Sequence, residues 1–419
     1  MKRLVAFLLC LLMVIPMLPV FSLPTEAAGK RIVFLRTGGN GDGSSPDKPL
    51  GNLTDAYNAL DLTKDCKIVL CGAFTFSAHF SYGKEYSGSV TITSLYNGYD
   101  YGAKKNATFV ANTFRFVLWG ETKFENIKIR LASNYFYIIA RCHPITIGEG
   151  VDVSTNNKVT GHDISSGLSI MGGYQVGQDM PPYESRQDMN ITVLSGEKIV
   201  IGAFNRGFEY AYNLGKANIT VGGTAKVGAI FISSIDAPNV LCGDVELTVK
   251  DQASVEIITG ERTQPNVRVN SFKLNWLGGT IGKASLTDGT AIKDTNPANT
   301  TFFENKTYVR YDPTVVKGKD AEKILGVFDV AVAMGSAVDT EFVITTDAPV
   351  ITQGVTMGEP SQNTEVDSTP TVTSPSTTVA PINGVGDDAP SHLTVPIIIA
   401  TVVVACAVIC ILVFKKKKA

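Results

Sequence analysis

The sequence predicts an all-β chain wound as a right-handed parallel β-helix, a solenoid of about 28 residues per coil, with an N-terminal capping helix and a C-terminal transmembrane helix. Three observations predict it. NITVLSGEKIVIGAF from Asn190, NITVGGTAKVGAIFI from Asn218 and ELTVKDQASVEIITG from Glu246 align without a gap, and their starts are evenly spaced. Leu393 to Phe414 is an uncharged run followed at once by Lys415, Lys416, Lys417 and Lys418. A chain of 419 residues with 39 Gly, 20 Phe and 14 Tyr, and few long helical periodicities, favours short strands joined by turns.

The elements follow in chain order. Lys2 and Arg3 precede the apolar run Leu4 to Ile15, and the small residues Ala27, Ala28 and Gly29 come next, so residues 1–29 read as a secretory signal peptide. Ile32-Val33-Phe34-Leu35 reads as a strand, Gly38 to Pro46 as a glycine-rich turn, Asn52 to Leu60 as a short helix, and Lys67 to Gly72 as the next strand. A helix here covers apolar side chains and unpaired edges at the open first coil. Strand pairs continue irregularly at Phe114 and Phe116, Ile127 and Ile129, Ile145 and Ile147, Val151 and Val153, and Leu168 and Ile170.

Within the three aligned units the inward columns are Ile191, Ile219 and Leu247, then Val193, Val221 and Val249. After a polar turn come Ile199, Val227 and Val255, and finally Ile201, Ala229 and Ile257. A unit of two short strands cannot bury its apolar face alone; stacked copies can. A weaker fourth unit places Leu277-Gly278-Gly279 one repeat length beyond Val249-Lys250-Asp251. The β-helix then occupies 30–300, with a β extension or cap over 301–351. Residues 352–392 are rich in Ser, Thr and Pro and read as an extended stalk. At 1.5 Å per residue, the span 393–414 reaches roughly 33 Å, enough for a bilayer core. The basic tail 415–419 places its end on the cytoplasmic side, leaving the large N-terminal part outside the cell.

The order of strand, glycine-rich turn, short helix and strand over 32–72, together with Thr122-Lys123-Phe124-Glu125-Asn126-Ile127, resembles the pectin-lyase-like β-helix superfamily over roughly residues 30–290. That resemblance implies architecture more than activity. The basic-tipped span resembles the tail of Gram-positive surface proteins handled by sortase. Gly386-Asp387-Asp388-Ala389-Pro390-Ser391 stands where those proteins carry Leu-Pro-x-Thr-Gly, so the resemblance implies a surface location without covalent attachment to the wall.

Charge narrows the partners. The formal charge is −2, and without the six basic residues at the two ends the body carries −8, which argues against nucleic acid. Gly39-Asn40-Gly41-Asp42-Gly43-Ser44 lacks the third glycine of a dinucleotide loop and reads as a turn, where Asp42 and Asp47 are the candidates for a structural calcium; no other cofactor is indicated. The superfamily's catalytic motifs are not matched: Gly161-His162-Asp163 is the nearest approach, and Asp163, Asp179 and Asp188 are isolated loop residues. His79, His143, His162 and His392 are too scattered to suggest a metal site, and Cys66, Cys71, Cys142 and Cys242 read as buried thiols.

One loop series stands out. Met180 to Arg186, Arg206 to Tyr212, Asp236 to Val240 and Glu261 to Asn266 recur near the spacing of the repeat and should stack along one side. Tyr183, Phe208, Tyr210 and Tyr212, with Glu184, Arg186, Arg206 and Glu209, are the candidate ligand-binding residues: flat rings cover sugar faces while polar groups take hydroxyls. The alternative is that the rings pack the loops against the solenoid. The sequence thus points to a single-pass surface protein that binds carbohydrate or a surface protein, with a polysaccharide-cleaving enzyme and a structural envelope protein as the other readings.

Overall fold

The computed structural model describes residues 29–76, 78–111, 115–132, 136–155, 167–174, 184–204, 212–233, 241–260, 267–286 and 301–336. The chain divides into two units, 1–345 and 346–419, and every described residue belongs to the first. The expected signal peptide, stalk, span and basic tail lie outside the described residues, as do Phe114, Asp163 and Asp179. Among the described residues no helix is long and apolar enough to cross a membrane.

Parallel strands in large sheets, the arrangement of a β-solenoid, dominate. The first sheet begins Ile32–Leu35, Cys66–Leu70, Ser89–Thr93, Glu121–Glu125 and Ile145–Ile147. It continues through Met189–Val193, Ala217–Val221, Leu241–Val249, Val267–Trp276, Thr307–Tyr311 and Val330–Ala333. A second sheet stacks Phe74–Phe76, Thr108–Ala111, Lys128–Leu131 and Asp152–Thr155. A third runs from Phe80–Ser81 through Arg115–Val117, Tyr137–Ile139, Leu168–Met171, Glu197–Gly202, Lys226–Phe231 and Ser254–Thr259 to Thr280–Ser285. The chain visits the sheets in rotation, and each return lays a strand parallel to its predecessor.

The register of the repeat appears in the first sheet as read from the sequence. Ile191 pairs with Ile219 and Ile219 with Leu247, while Val193, Val221 and Val249 stack beside them. These residues are buried, and Thr192, Thr220 and Thr248 between them face outward, half-buried. The third sheet corrects the last column. Ile201 pairs with Ile230 rather than Ala229, and Ile230 with Ile258. The pairing slips twice near Ile199: Lys198 bulges at φ 59°, and Gly228 falls between Val227 and Ala229 as an extra residue. Val200, Ala229 and Ile257 therefore join a separate apolar cluster with Val117, Tyr137, Ile139, Met171 and Phe231. The fourth unit is also corrected. Val249 pairs with Trp276 and Val255 with Ile281, so this coil falls one position short of the repeat in the first sheet and two short in the third.

Both ends of the column carry a helix. Leu53–Ala59 begins at Asn52, whose side chain accepts from the Asp55 amide at 2.8 Å, and it buries Leu53, Ala56 and Tyr57. Tyr57 meets Phe80, Tyr82 and Tyr86 at ring distances of 5.0, 5.3 and 6.0 Å. Lys319–Leu325 buries Ala321 and Ile324 beside the strand Thr280–Ser285, and Phe328 lies 5.7 Å from the Phe272 ring.

The second sheet stops at Asp152–Thr155. Ser195, in the next coil, satisfies the turn beneath it: its hydroxyl donates to Gly148 O at 2.5 Å and accepts from the Val151 amide at 2.9 Å. From there two sheets suffice per coil.

Candidate functional site

The corner where the chain leaves the third sheet and enters the first recurs in each coil. Its described segments include 82–88, 118–120, 140–144, 172–174 with 184–188, and 203–204 with 212–216. Backbone bonds stack them: the Tyr86 amide donates to Trp119 O at 3.0 Å, and the Arg141 and Cys142 amides donate to Gly173 O and Gly172 O at 2.9 Å each. Glycine is needed at 120, because a Cβ there would lie 2.2 Å from the Tyr86 ring, which packs across it. The Tyr86 hydroxyl reaches Thr122 Oγ1 at 3.0 Å, and burial pushes its pKa up to about 12.

Between Tyr137–Ile139 and Ile145–Ile147 the chain turns through Arg141 and Cys142 at φ 54° and 64°. Two consecutive non-glycine residues in the left-handed region cost of order 1 kcal/mol each or more. The turn holds the Arg141 side chain, 8% exposed, in an aromatic notch. Its guanidinium carbon is 3.4 Å from the Trp119 ring centroid and 5.4 Å from that of Tyr174. Trp119 is held in turn by its indole N–H, which donates to Ser81 Oγ at 2.8 Å.

Glu85 completes the cluster from the segment 82–88. One carboxylate oxygen lies 3.8 Å from an Arg141 terminal nitrogen, and the other lies 2.9 Å from His143 Nε2. That second contact is close but lacks the alignment of a hydrogen bond, and both His143 Nε2 and Arg141 Nε are buried without a hydrogen-bond partner. Burial holds the His143 pKa below its ordinary value; Glu85 opposes this and Arg141 adds to it. Burial likewise raises the Tyr174 phenol and pushes the Cys142 thiol up to about 11, so Cys142 is a protonated packing group. Beside Glu85 opens a cleft of about 470 Å³ lined by Leu62, Thr63, Tyr82, Lys84, Tyr86 and Ser87.

Of the loop-series residues expected to bind ligand, only Glu184, Arg186 and Tyr212 fall among the described residues, and of Glu184 and Tyr212 only the backbone. Tyr183, Arg206, Phe208, Glu209 and Tyr210 fall outside the described residues. Backbone places Glu184 beside Tyr212 and Ser185 beside Asn213 in parallel pairing, and Asn213 beside Cys242. Arg186 follows, exposed. These pairings show where the backbone joins the first sheet at Glu184, Tyr212 and Cys242.

Other singled-out residues have local roles. Asp42 accepts from the Ser44 hydroxyl and amide, which hold its carboxyl well below the usual range, and it pairs with Lys30 at 3.3 Å. Asp188 accepts from the Lys216 amide at 2.8 Å. Cys66, Cys71, Cys142 and Cys242 are buried thiols. No group of three or more His, Cys, Asp or Glu side chains among the described residues could hold a metal ion.

Sequence reasoning passed over Glu85, Trp119, Arg141, His143 and Tyr174 as a group, since they come from four coils. The available signal was the chemically dense run Arg141-Cys142-His143-Pro144 between two apolar strands, and one of only two tryptophans in the chain. Compared with known proteins, the chain matches no family model, no curated protein and no solved structure.

Proposed function

We propose that this is a surface-displayed, membrane-anchored β-solenoid that binds carbohydrate along the corner between its third and first sheets, without itself cleaving it. The observation that carries this reading is the coincidence of two features on one corner. The first is the Trp119–Arg141–Tyr174 notch with Glu85 and His143 beside an aromatic-lined cleft. The second is the parallel backbone pairing of Glu184 with Tyr212, which follows the third-sheet strands on that corner and supports the loop series read from the sequence as part of the same surface. Rigid rings next to fixed polar groups suit the alternating apolar faces and hydroxyl edges of sugars. The signal-like 1–29, the stalk-like 352–392 and the basic-tipped span 393–414 support display on the cell surface by a single helix.

A glycan array probed with the full chain in detergent tests the reading, with polysaccharide cleavage assayed in parallel. Replacing Tyr210 and Tyr212 by Ala should weaken binding by about 1 kcal/mol per ring with the melting temperature unchanged. A fall in melting temperature with no glycan bound would make the rings packing groups and end the proposal. Cleavage of a bound polysaccharide would replace the non-catalytic reading with an enzyme.

A further inference from the structure

The Arg141 guanidinium is incompletely satisfied. It is more than nine-tenths buried, its Nε has no hydrogen-bond partner, and the carboxylate paired with it among the described residues, Glu85, sits 3.8 Å from a terminal nitrogen. A carboxylate that matches guanidinium takes two parallel N–H···O bonds at about 2.7–2.9 Å, one from each of two nitrogens. Glu85 does not do this. Its side chain is 60% exposed and leans instead toward His143, on a segment that also walls the cleft. The stacking of Arg141 on Trp119 fixes the plane of the fork, so the geometry of an incoming anion is set in advance.

We propose that Arg141, with His143, forms a carboxylate-binding site, and that Glu85 is its internal, displaceable occupant, giving way to the carboxylate of a ligand seated in the neighbouring cleft. The site goes beyond carbohydrate binding as such, and it stands on the incompletely paired buried guanidinium rather than on that reading. Glu85 competes with the ligand from within the chain, so removing its charge should raise affinity for a free carboxylate, whereas a purely structural ion pair would only be weakened.

The test titrates the full chain in detergent with sodium acetate and, separately, with acetamide, its uncharged counterpart of nearly the same shape, at constant ionic strength. Trp119 fluorescence is the readout, in a Trp276→Phe background that leaves one tryptophan. Acetate should saturate the signal and acetamide should not. Glu85→Gln should bind acetate about tenfold more tightly, and Arg141→Lys, which keeps the charge and loses the fork, should bind it at least tenfold more weakly. Glu85→Gln changes an exposed side chain, so its result stands even where an Arg141 variant fails to fold. Identical responses to acetate and acetamide, or no gain in Glu85→Gln, would overturn the proposal. Acetate binding by a chain that retains no glycan would leave this site standing and remove the glycan reading; glycan binding indifferent to acetate and to Glu85→Gln would do the opposite.

Discussion

The two halves of the solenoid solve the same packing problem differently. In the C-terminal half, the coils from Met189 to Val249 keep one length and stack aliphatic columns such as Ile191, Ile219 and Leu247 between two sheets. In the N-terminal half three sheets enclose the core, and phenylalanines fill it: Phe109 lies within 5.7–6.3 Å, centroid to centroid, of Phe74, Phe76, Phe116, Phe124 and Phe136. Successive returns to the first sheet there are uneven. One column runs Val90, Thr122, Ile145 and Ile191, so its second coil is shorter than the first and its third is about twice the second. The uneven half is also where the Arg141 notch is built. A corner that need not repeat is free to collect different side chains from each coil, whereas a strict repeat tends to present the same group at each level.

The largest effect expected from breaking this comparison is in the regular half. Val221→Asp buries a carboxylate between Val193 and Val249 with no partner, at a cost of about 3–5 kcal/mol or loss of folding. Thermal unfolding with an unchanged midpoint would mean that this column is not interior. Phe109→Ala probes the other half. It should cost about 3–4 kcal/mol, because five neighbouring rings set at fixed angles cannot collapse into the space. A loss under about 1 kcal/mol in a denaturant titration would show that the aromatic core relaxes around cavities.

The smallest effect sharpens the comparison at the corner. Because burial depresses the His143 pKa, the folded chain binds fewer protons there than the unfolded chain. Its contribution is therefore intact above about pH 6.5, the ordinary histidine value, and declines as pH falls from there toward the lower folded-state pKa. His143→Gln should flatten that part of the melting-temperature profile between pH 5 and 8. A profile identical to the parent chain would assign the slope to other groups.

The columns through Ile191 and Val193 were legible because, from Met189–Val193 to Leu241–Val249, the first sheet has one apolar and one more polar face, so alternation fixes which residues point inward. The third sheet is apolar on both faces, as in Lys226–Phe231, where Val227 and Ile230 face the core and Ala229 and Phe231 face the other cluster. Alternation then carries no information about register, and a bulge at Gly228 moves the column by one position unseen. The shortening at Trp276 was hidden in the same way, by a gapless comparison that a single deletion defeats. The backbone pairing of Glu184 with Tyr212 follows the spacing of the repeat, but the residues that meet at the N-terminal end of the corner were not legible.

By itself the sequence determined the solenoid, the step of its repeat, the inward columns of the first sheet and the helix that Asn52 opens, because each depends on neighbours close in the chain or on repetition of one pattern. Only the tertiary structure decided that Glu85, Trp119, Arg141, His143 and Tyr174 share one corner. The intervals between these five positions follow no period, and what brings them together is the uneven length of each coil as it closes onto the parallel ladder beneath it.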